Sequence, residues 1–230
     1  MYVQEGEYYL VRTDTISIQA LCLATPFTEG LAATHELAVG GSALGGHVIR
    51  VGPMENGQIL LDGQPTLTAF PSSQTVAGVG SLSYNADGEL VDGAQGHLEK
   101  HVVHISLDSG HLIDVMRWSN HINVRISMPS GSATDGLCGN FNGDVGDDTE
   151  ALITSRNAAA VPESECLFDH QGAFKPAPAH SIEECKRDVQ RYNKAVEICS
   201  TATTPALKEG CVFDVCFAGA RYAEQIGLKA

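Results

Sequence analysis

Residues 136–148 read GLCGNFNGDVGDD, and the rest of the chain is best read from this stretch. Its thirteen positions hold four glycines, two asparagines, three aspartates and a cysteine. A tight loop accounts for the glycines and asparagines, which tolerate left-handed backbone. It does not account for the charge. Asp144, Asp147 and Asp148 stand within five residues, with no Lys or Arg among them. Like charges that close repel, so they either point into water or gather round a cation.

Upstream of the loop the chain alternates with period two. In ISIQALCL, Ile16, Ile18, Ala20 and Cys22 fall on one face. In HVVHISL the same is true of His101, Val103, Ile105 and Leu107, and in INVRISM of Ile122, Val124, Ile126 and Met128. Such segments are strands. Turn signals separate them: GG at 40–41 and 45–46, NG at 56–57, DG at 62–63 and 87–88, SG at 109–110. Many short strands spaced this way predict an antiparallel β-sandwich, not a parallel α/β sheet.

Downstream the texture changes. SRNAAAVPESE reads as a connector and FKPAPAHS as a Pro-rich spacer. In SIEECKRDVQRYNKAVEIC, Ser181 precedes Glu184 by three residues, which is a capping box. Cys185, Val189, Tyr192, Val196 and Cys199 recur at helical spacing, predicting one helix with a sulfur-bearing face. A second helix follows, with Thr204 as N-cap and Pro205 at its first position. The predicted organisation is a β domain over residues 1–160 and a small disulfide-stapled helical module over 161–230.

The chain has 230 residues, enough for one large domain or a domain with an appendage. Its net charge of −14, from 28 acidic and 14 basic residues, disfavours nucleic acid and anionic membrane surfaces. The acidic surplus suits a calcium-rich extracellular setting, although from charge alone plain solubility is the simpler reading. No apolar run approaches membrane-spanning length. MYVQEGEYYLVRTD lacks the basic and apolar regions of a signal peptide, so a secreted protein would carry its export signal upstream.

Five of the seven cysteines fall in the last 65 residues, and no CxxC pair exists. That pattern excludes a zinc ribbon and reads as a disulfide framework in an oxidising compartment. The odd count leaves at least one thiol unpaired within the chain. Cys199 and Cys211 flank a short connection and are expected to pair. Cys185 with Cys216 would nest around them, but the spacings disagree. Fourteen helical residues rise roughly 21 Å and five only roughly 7.5 Å, which two straight helices cannot both accommodate. Either the second helix starts late or Cys166 takes part.

Other chemistry is weaker. On a strand, His101 and His104 of HLEKHVVH point to opposite sides, so with His97 they do not make a metal site. No GxSxG elbow is present, GGSALGG at 40–46 lacks the strand-to-helix context of a phosphate loop, and no enzyme activity is expected. Trp118, the only tryptophan, reads as a residue at a hairpin edge of the core.

GLCGNFNGDVGDD resembles the signature of the von Willebrand factor type D domain. GEYYLVRTDTISIQA is similar to that family's early strand pair, and SGHLIDVMRWSNHINVRISMPSG to the hairpin before the signature. GCVFDVCFAGARYAEQ is similar to the cysteine-rich helical segment that often follows. The resemblance implies calcium at the loop, held by the side chains of Asn140, Asn142, Asp147 and Asp148 and the backbone carbonyl of Asp144. The donor types agree, because calcium takes six to eight oxygens from carboxylates, amides and carbonyls. An EF-hand is excluded, since no helix precedes the loop and no Glu stands at its twelfth position.

Three departures from the family pattern bear on function. The family's opening Gly-Asp-Pro-His strand, source of a further calcium ligand, has no counterpart here, and Asp14 or a neighbouring chain would stand in for it. The absence of Asp-Pro also removes the self-cleavage some members perform. Asp135 stands where a family Cys-Gly-Leu-Cys dithiol begins, so exchange by that route is not expected. In the family the counterpart of Cys138 pairs with a cysteine just before the missing opening strand, which leaves Cys138 or Cys22 as the odd thiol. The resemblance implies an extracellular structural or adhesive module of a larger protein or filamentous assembly. A sandwich lacking its first strand would leave the sheet edge beside residues 7–12 open, to be filled by an upstream segment of the same precursor or by another protein chain, including a copy of itself. The alternative is a calcium-dependent site for glycan or lipid.

Overall fold

The computed structural model describes residues 5–25, 30–93, 96–129, 134–143, 160–169, 172–175, 180–203 and 205–220. Two compact units divide the chain. One comprises residues 7–21 and 34–171, the other 1–6, 22–33 and 172–230.

The sheets are two antiparallel meanders. The first runs β1 (Gly6–Arg12), β2 (Ser17–Ala24), β3 (Ala32–Gly40), β4 (Ile49–Val51), β5 (Ile59–Leu61) and β6 (Gln64–Pro65) in spatial order. The second runs β7 (Ser72–Val76), β8 (Gly80–Gly93), β9 (Gly96–Leu107), β10 (Leu112–Arg117) and β11 (Ile122–Ser127). Period-two alternation places one face of each sheet in a common apolar core. Leu37, Val51 and Ile59 align across the first sheet, and Leu82, Ile105, Ile113 and Ile126 across the second. The expected antiparallel sandwich followed by a disulfide-bearing helical region is observed.

The turn signals act through backbone conformation. Asp62 and Gly63 both take positive φ, 51° and 73°, between Leu61 and its cross-strand neighbour Gln64. That is the type I′ geometry which matches strand twist. The DG at 87–88 behaves differently. It falls within β8, where the register against β9 shifts between Ala86 and Leu90, so it marks an irregularity rather than a chain reversal.

The edge beside residues 7–12 is not open, which corrects the expectation of a bare strand awaiting another chain. β1 ends its sheet in the strand order, yet its backbone is bonded by the chain itself. Arg12 and Asp135 exchange backbone hydrogen bonds at 2.8 and 3.0 Å. The Leu137 and Cys138 amides donate to the Tyr9 and Leu10 carbonyls, and the Val161 amide donates to Glu7. Paired backbone groups offer no template for strand addition.

In the helical unit the predicted single helix is two. α1 (Ile182–Arg187) stops at Asp188, whose φ and ψ of −91° and 89° are not helical, and α2 (Val189–Ile198) begins beyond it. Both starts are capped by side chains: Ser181 accepts from the Glu184 amide and Asp188 from the Arg191 amide. This break resolves the spacing conflict. With α3 (Pro205–Ala218) alongside, Cys185–Cys216 and Cys199–Cys211 both form, at Cα separations of 6.1 and 5.9 Å. Cys166 has no part in either bond. The same break leaves Val189, expected on the sulfur-bearing face, 63% exposed. Thr204, the expected N-cap of α3, lies outside the described residues.

Candidate metal centre

The signature divides into two halves with different work. The first half, Gly136 to Gly139, is a strap fastened to β1. Gly136 has φ of 124°, and a Cβ placed there would lie 2.5 Å from the Leu10 carbonyl oxygen, so only glycine lets the strap approach. Leu137 is buried, and the Thr134 hydroxyl donates to the Gly139 carbonyl at 3.1 Å. The second half turns outward. Gly139, Phe141 and Gly143 all take left-handed backbone, and the Asn142 amide donates to Asn140 Oδ1 at 3.0 Å. Phe141 holds φ of 57° while nearly half exposed, a conformation that costs a non-glycine residue about 1 kcal/mol or more.

Of the five expected calcium ligands, Asn140 and Asn142 are described, adjacent in space and exposed. Asp144, Asp147 and Asp148 lie outside the described residues. The two described members fit a calcium site chemically. Both offer neutral amide oxygens at the surface, and the alternating left-handed backbone brings alternate positions of the loop together. Among the described residues no three His, Cys, Asp or Glu side chains cluster into a metal site.

The base of the strap is held by charge as well as by backbone. Arg12 Nε and Nη2 donate to Asp135 Oδ1 and Oδ2 at 2.9 and 2.8 Å, the two-pronged geometry that favours Arg over Lys. The ion pair holds the Arg12 guanidinium above its usual pKa, chiefly through the hydrogen bond to Asp135. The Arg12 guanidinium also lies over the Tyr9 ring, 4.6 Å from its centroid, and the Tyr9 hydroxyl donates to the Glu165 carboxylate. Burial, helped by Glu165, pushes the Tyr9 phenol up to about 12. Asp135, expected to offer no thiol for exchange, thus forms an ion pair. Arg12, Tyr9 and Glu165 carry no signal in sequence, because their partners stand 123 and 156 residues away.

Beyond Glu165 the segment crosses the first sheet. Gln19, buried on β2, donates to the Glu165 carbonyl at 2.8 Å and accepts from the Leu167 amide at 3.0 Å. Leu167 packs on Gly40, and Arg50 pairs with Glu36 and with Asp169. Cys138 and Cys166 carry no disulfide. Cys138 is at the surface, but protein crowded round its sulfur pushes the thiol up to about 11, and Cys166 is likewise pushed up to about 11 by burial. Neither is the thiolate needed for exchange at neutral pH.

The histidines divide as their strand positions require. His101 stacks on Phe70, with centroids 4.0 Å apart, and bonds to the Tyr84 hydroxyl. On the other face His104 Nδ1 bonds to Asp114 at 2.7 Å, and Asp114 also accepts from Arg125. His97 belongs to β9, and its side chain lies outside the described residues. Ser83 stands opposite His104 in register, so a Ser-His-Asp row crosses the sheet, but no hydrogen bond joins Ser83 to His104. Trp118 sits at the β10–β11 turn, stacked on His121.

Residues 56–151 match the von Willebrand factor type D domain. No curated protein matches the chain. The type D match runs from the β4–β5 connection through β11 and the whole signature. Domains of this type occur in extracellular proteins and take part in protein–protein assemblies. The helical unit with its two disulfides lies beyond the match. Among the described residues no helix is long and apolar enough to cross a membrane.

Proposed function

We propose that the chain is an extracellular structural or adhesive module, not an enzyme, whose signature loop binds calcium. The observation that carries this reading is the fastening of residues 135–138 to β1. It presents Asn140 and Asn142 at the surface immediately before Asp144, Asp147 and Asp148. A divalent cation would offset the repulsion among those three carboxylates, and its binding energy would add to the stability of the folded domain. Asn140, Asn142, Asp147 and Asp148 would supply side-chain oxygens and Asp144 a carbonyl. The type D match and the two disulfides support the extracellular setting. Partners on this reading are other protein chains, met through surfaces other than the β1 edge.

Thermal melting in calcium and in EGTA tests the reading. At a calcium concentration 100 times Kd, the metal should add about 2.7 kcal/mol of stability. Asn142→Ala and Asp148→Ala should each lower Tm in calcium and leave it nearly unchanged in EGTA. Equal melting temperatures for the parent protein in both buffers would overturn calcium binding. Calcium-dependent retention on a glycan array or on phosphatidylcholine vesicles would instead favour the ligand-binding alternative.

A further inference from the structure

We infer that Arg12 and Asp135 are positioning residues for the signature loop, setting its affinity for calcium without touching the ion. This inference rests on the calcium reading and deepens it. Asp135 begins the strap, five residues before Asn140. The backbone bridge between Arg12 and Asp135 fixes the height of the strap along β1. The side-chain fork then fixes its direction, because two parallel N–H···O contacts leave little rotational freedom. Arg12 is itself held over Tyr9, whose hydroxyl is bound by Glu165, so the fork stands on a braced strand. A loop whose base is misplaced populates its binding geometry for a smaller fraction of the time, and its apparent affinity falls by that fraction.

Charge and position make opposite forecasts for one of the two residues. Through space, Arg12 repels a cation, so Arg12→Gln would strengthen calcium binding, while Asp135→Asn would weaken it. Through position, both substitutions weaken binding, because each destroys the same fork. The pair is half exposed, and an exposed ion pair of this kind transmits about a three- to fivefold change. Arg12→Lys keeps the charge but loses the fork, and should behave like Arg12→Gln. Exchanging the two residues, Arg12→Asp with Asp135→Arg, should restore much of the loss.

The experiment is calcium titration of the full chain, read by isothermal calorimetry, with far-UV circular dichroism in EGTA confirming that each variant is folded. A parallel loss in Arg12→Gln, Arg12→Lys and Asp135→Asn, with recovery in the exchanged pair, is the expected result. Tighter binding by Arg12→Gln, or unchanged affinity in all three single variants, overturns the positioning role while leaving the calcium reading intact. No calcium binding by the parent protein overturns both. Asp135→Asn is isosteric, the Arg12 side chain is part-exposed, and the backbone bridge does not use the side chains, so folding should survive the substitutions. Should one variant unfold, the remaining two decide.

Discussion

In the unit that holds both sheets, the described core is Leu37, Val39, Ile49, Leu82, Ile105, Ile113 and their neighbours, without a disulfide among them. In the helical unit, four of the nine described buried core residues are the cysteines of its two disulfides. The contrast follows from size. Two sheets can bury a continuous apolar layer between them, whereas three short helices cannot bury enough surface to repay the entropy of ordering them. Sulfur therefore does in the second region what Ile, Leu and Val do in the first. Between these extremes lies the strap at 135–138, which belongs to the sandwich but is held mainly by backbone hydrogen bonds and one ion pair.

Reduction should break the contrast most visibly. The Cys199–Cys211 bond closes 12 residues and Cys185–Cys216 closes 31, worth about 3 and about 4 kcal/mol by loop-closure entropy. Adding dithiothreitol should therefore collapse amide-exchange protection across residues 182–218, leaving β9 and β10 protected. Equal loss in both regions would show that the sandwich depends on the bonds as well. Alkylation of the unreduced, denatured protein should leave Cys185, Cys199, Cys211 and Cys216 unlabelled.

A smaller and opposite effect is expected at the strap. Gly136→Ala places a methyl group against the Leu10 carbonyl in a backbone conformation reserved for glycine. The cost should be about 2–3 kcal/mol, at the upper end for a strained site. Amide exchange should quicken at Leu137 and Cys138, while protection of the helical unit is unchanged. No loss of stability would mean that the strap is dispensable to the sandwich.

The smallest expected difference is the response to acid. His111 is buried with Nδ1 on Ser109, and Nε2 has no hydrogen-bond partner among the described residues. Burial alone lowers its pKa below the ordinary 6.5. Protonation is thus easier in the unfolded chain, so this contribution is complete above pH 6.5 and is lost as pH falls below it. Asp114 follows lower down. Burial would raise its pKa, but hydrogen bonds from His104 and Arg125 prevail and hold it below 3.8. Its contribution is complete above pH 3.8 and is lost as pH falls through the depressed value. Melts between pH 7.5 and 5 should show a modest decline for the parent that His111→Gln flattens. An identical decline in that variant would reassign the effect to other groups.

Much of the sandwich could be read from the chain directly, because a strand's side chains alternate and a buried face must be apolar. Ile16, Ile18 and Ala20, or Val103, Ile105 and Leu107, announce their faces without knowledge of any partner. The helices were half legible. Ser181 declared a start, but Asp188 looked like one more polar position until its side chain was seen capping a second helix.

The sequence by itself determined which segments are strands, which are helical, that Cys199 would pair with Cys211, and that Asn140 and Asn142 stand beside an unneutralised run of acids. These are local properties, set by side-chain period, turn chemistry and neighbouring charge. Only the tertiary structure decided that the β1 edge is closed by residues 135–138 and 160–161, and that Asp135 meets Arg12. It alone decided that a break at Asp188 lets Cys185 reach Cys216. Each of those outcomes joins groups far apart in the chain or depends on how a helix bends, and nothing in a local pattern names a distant partner.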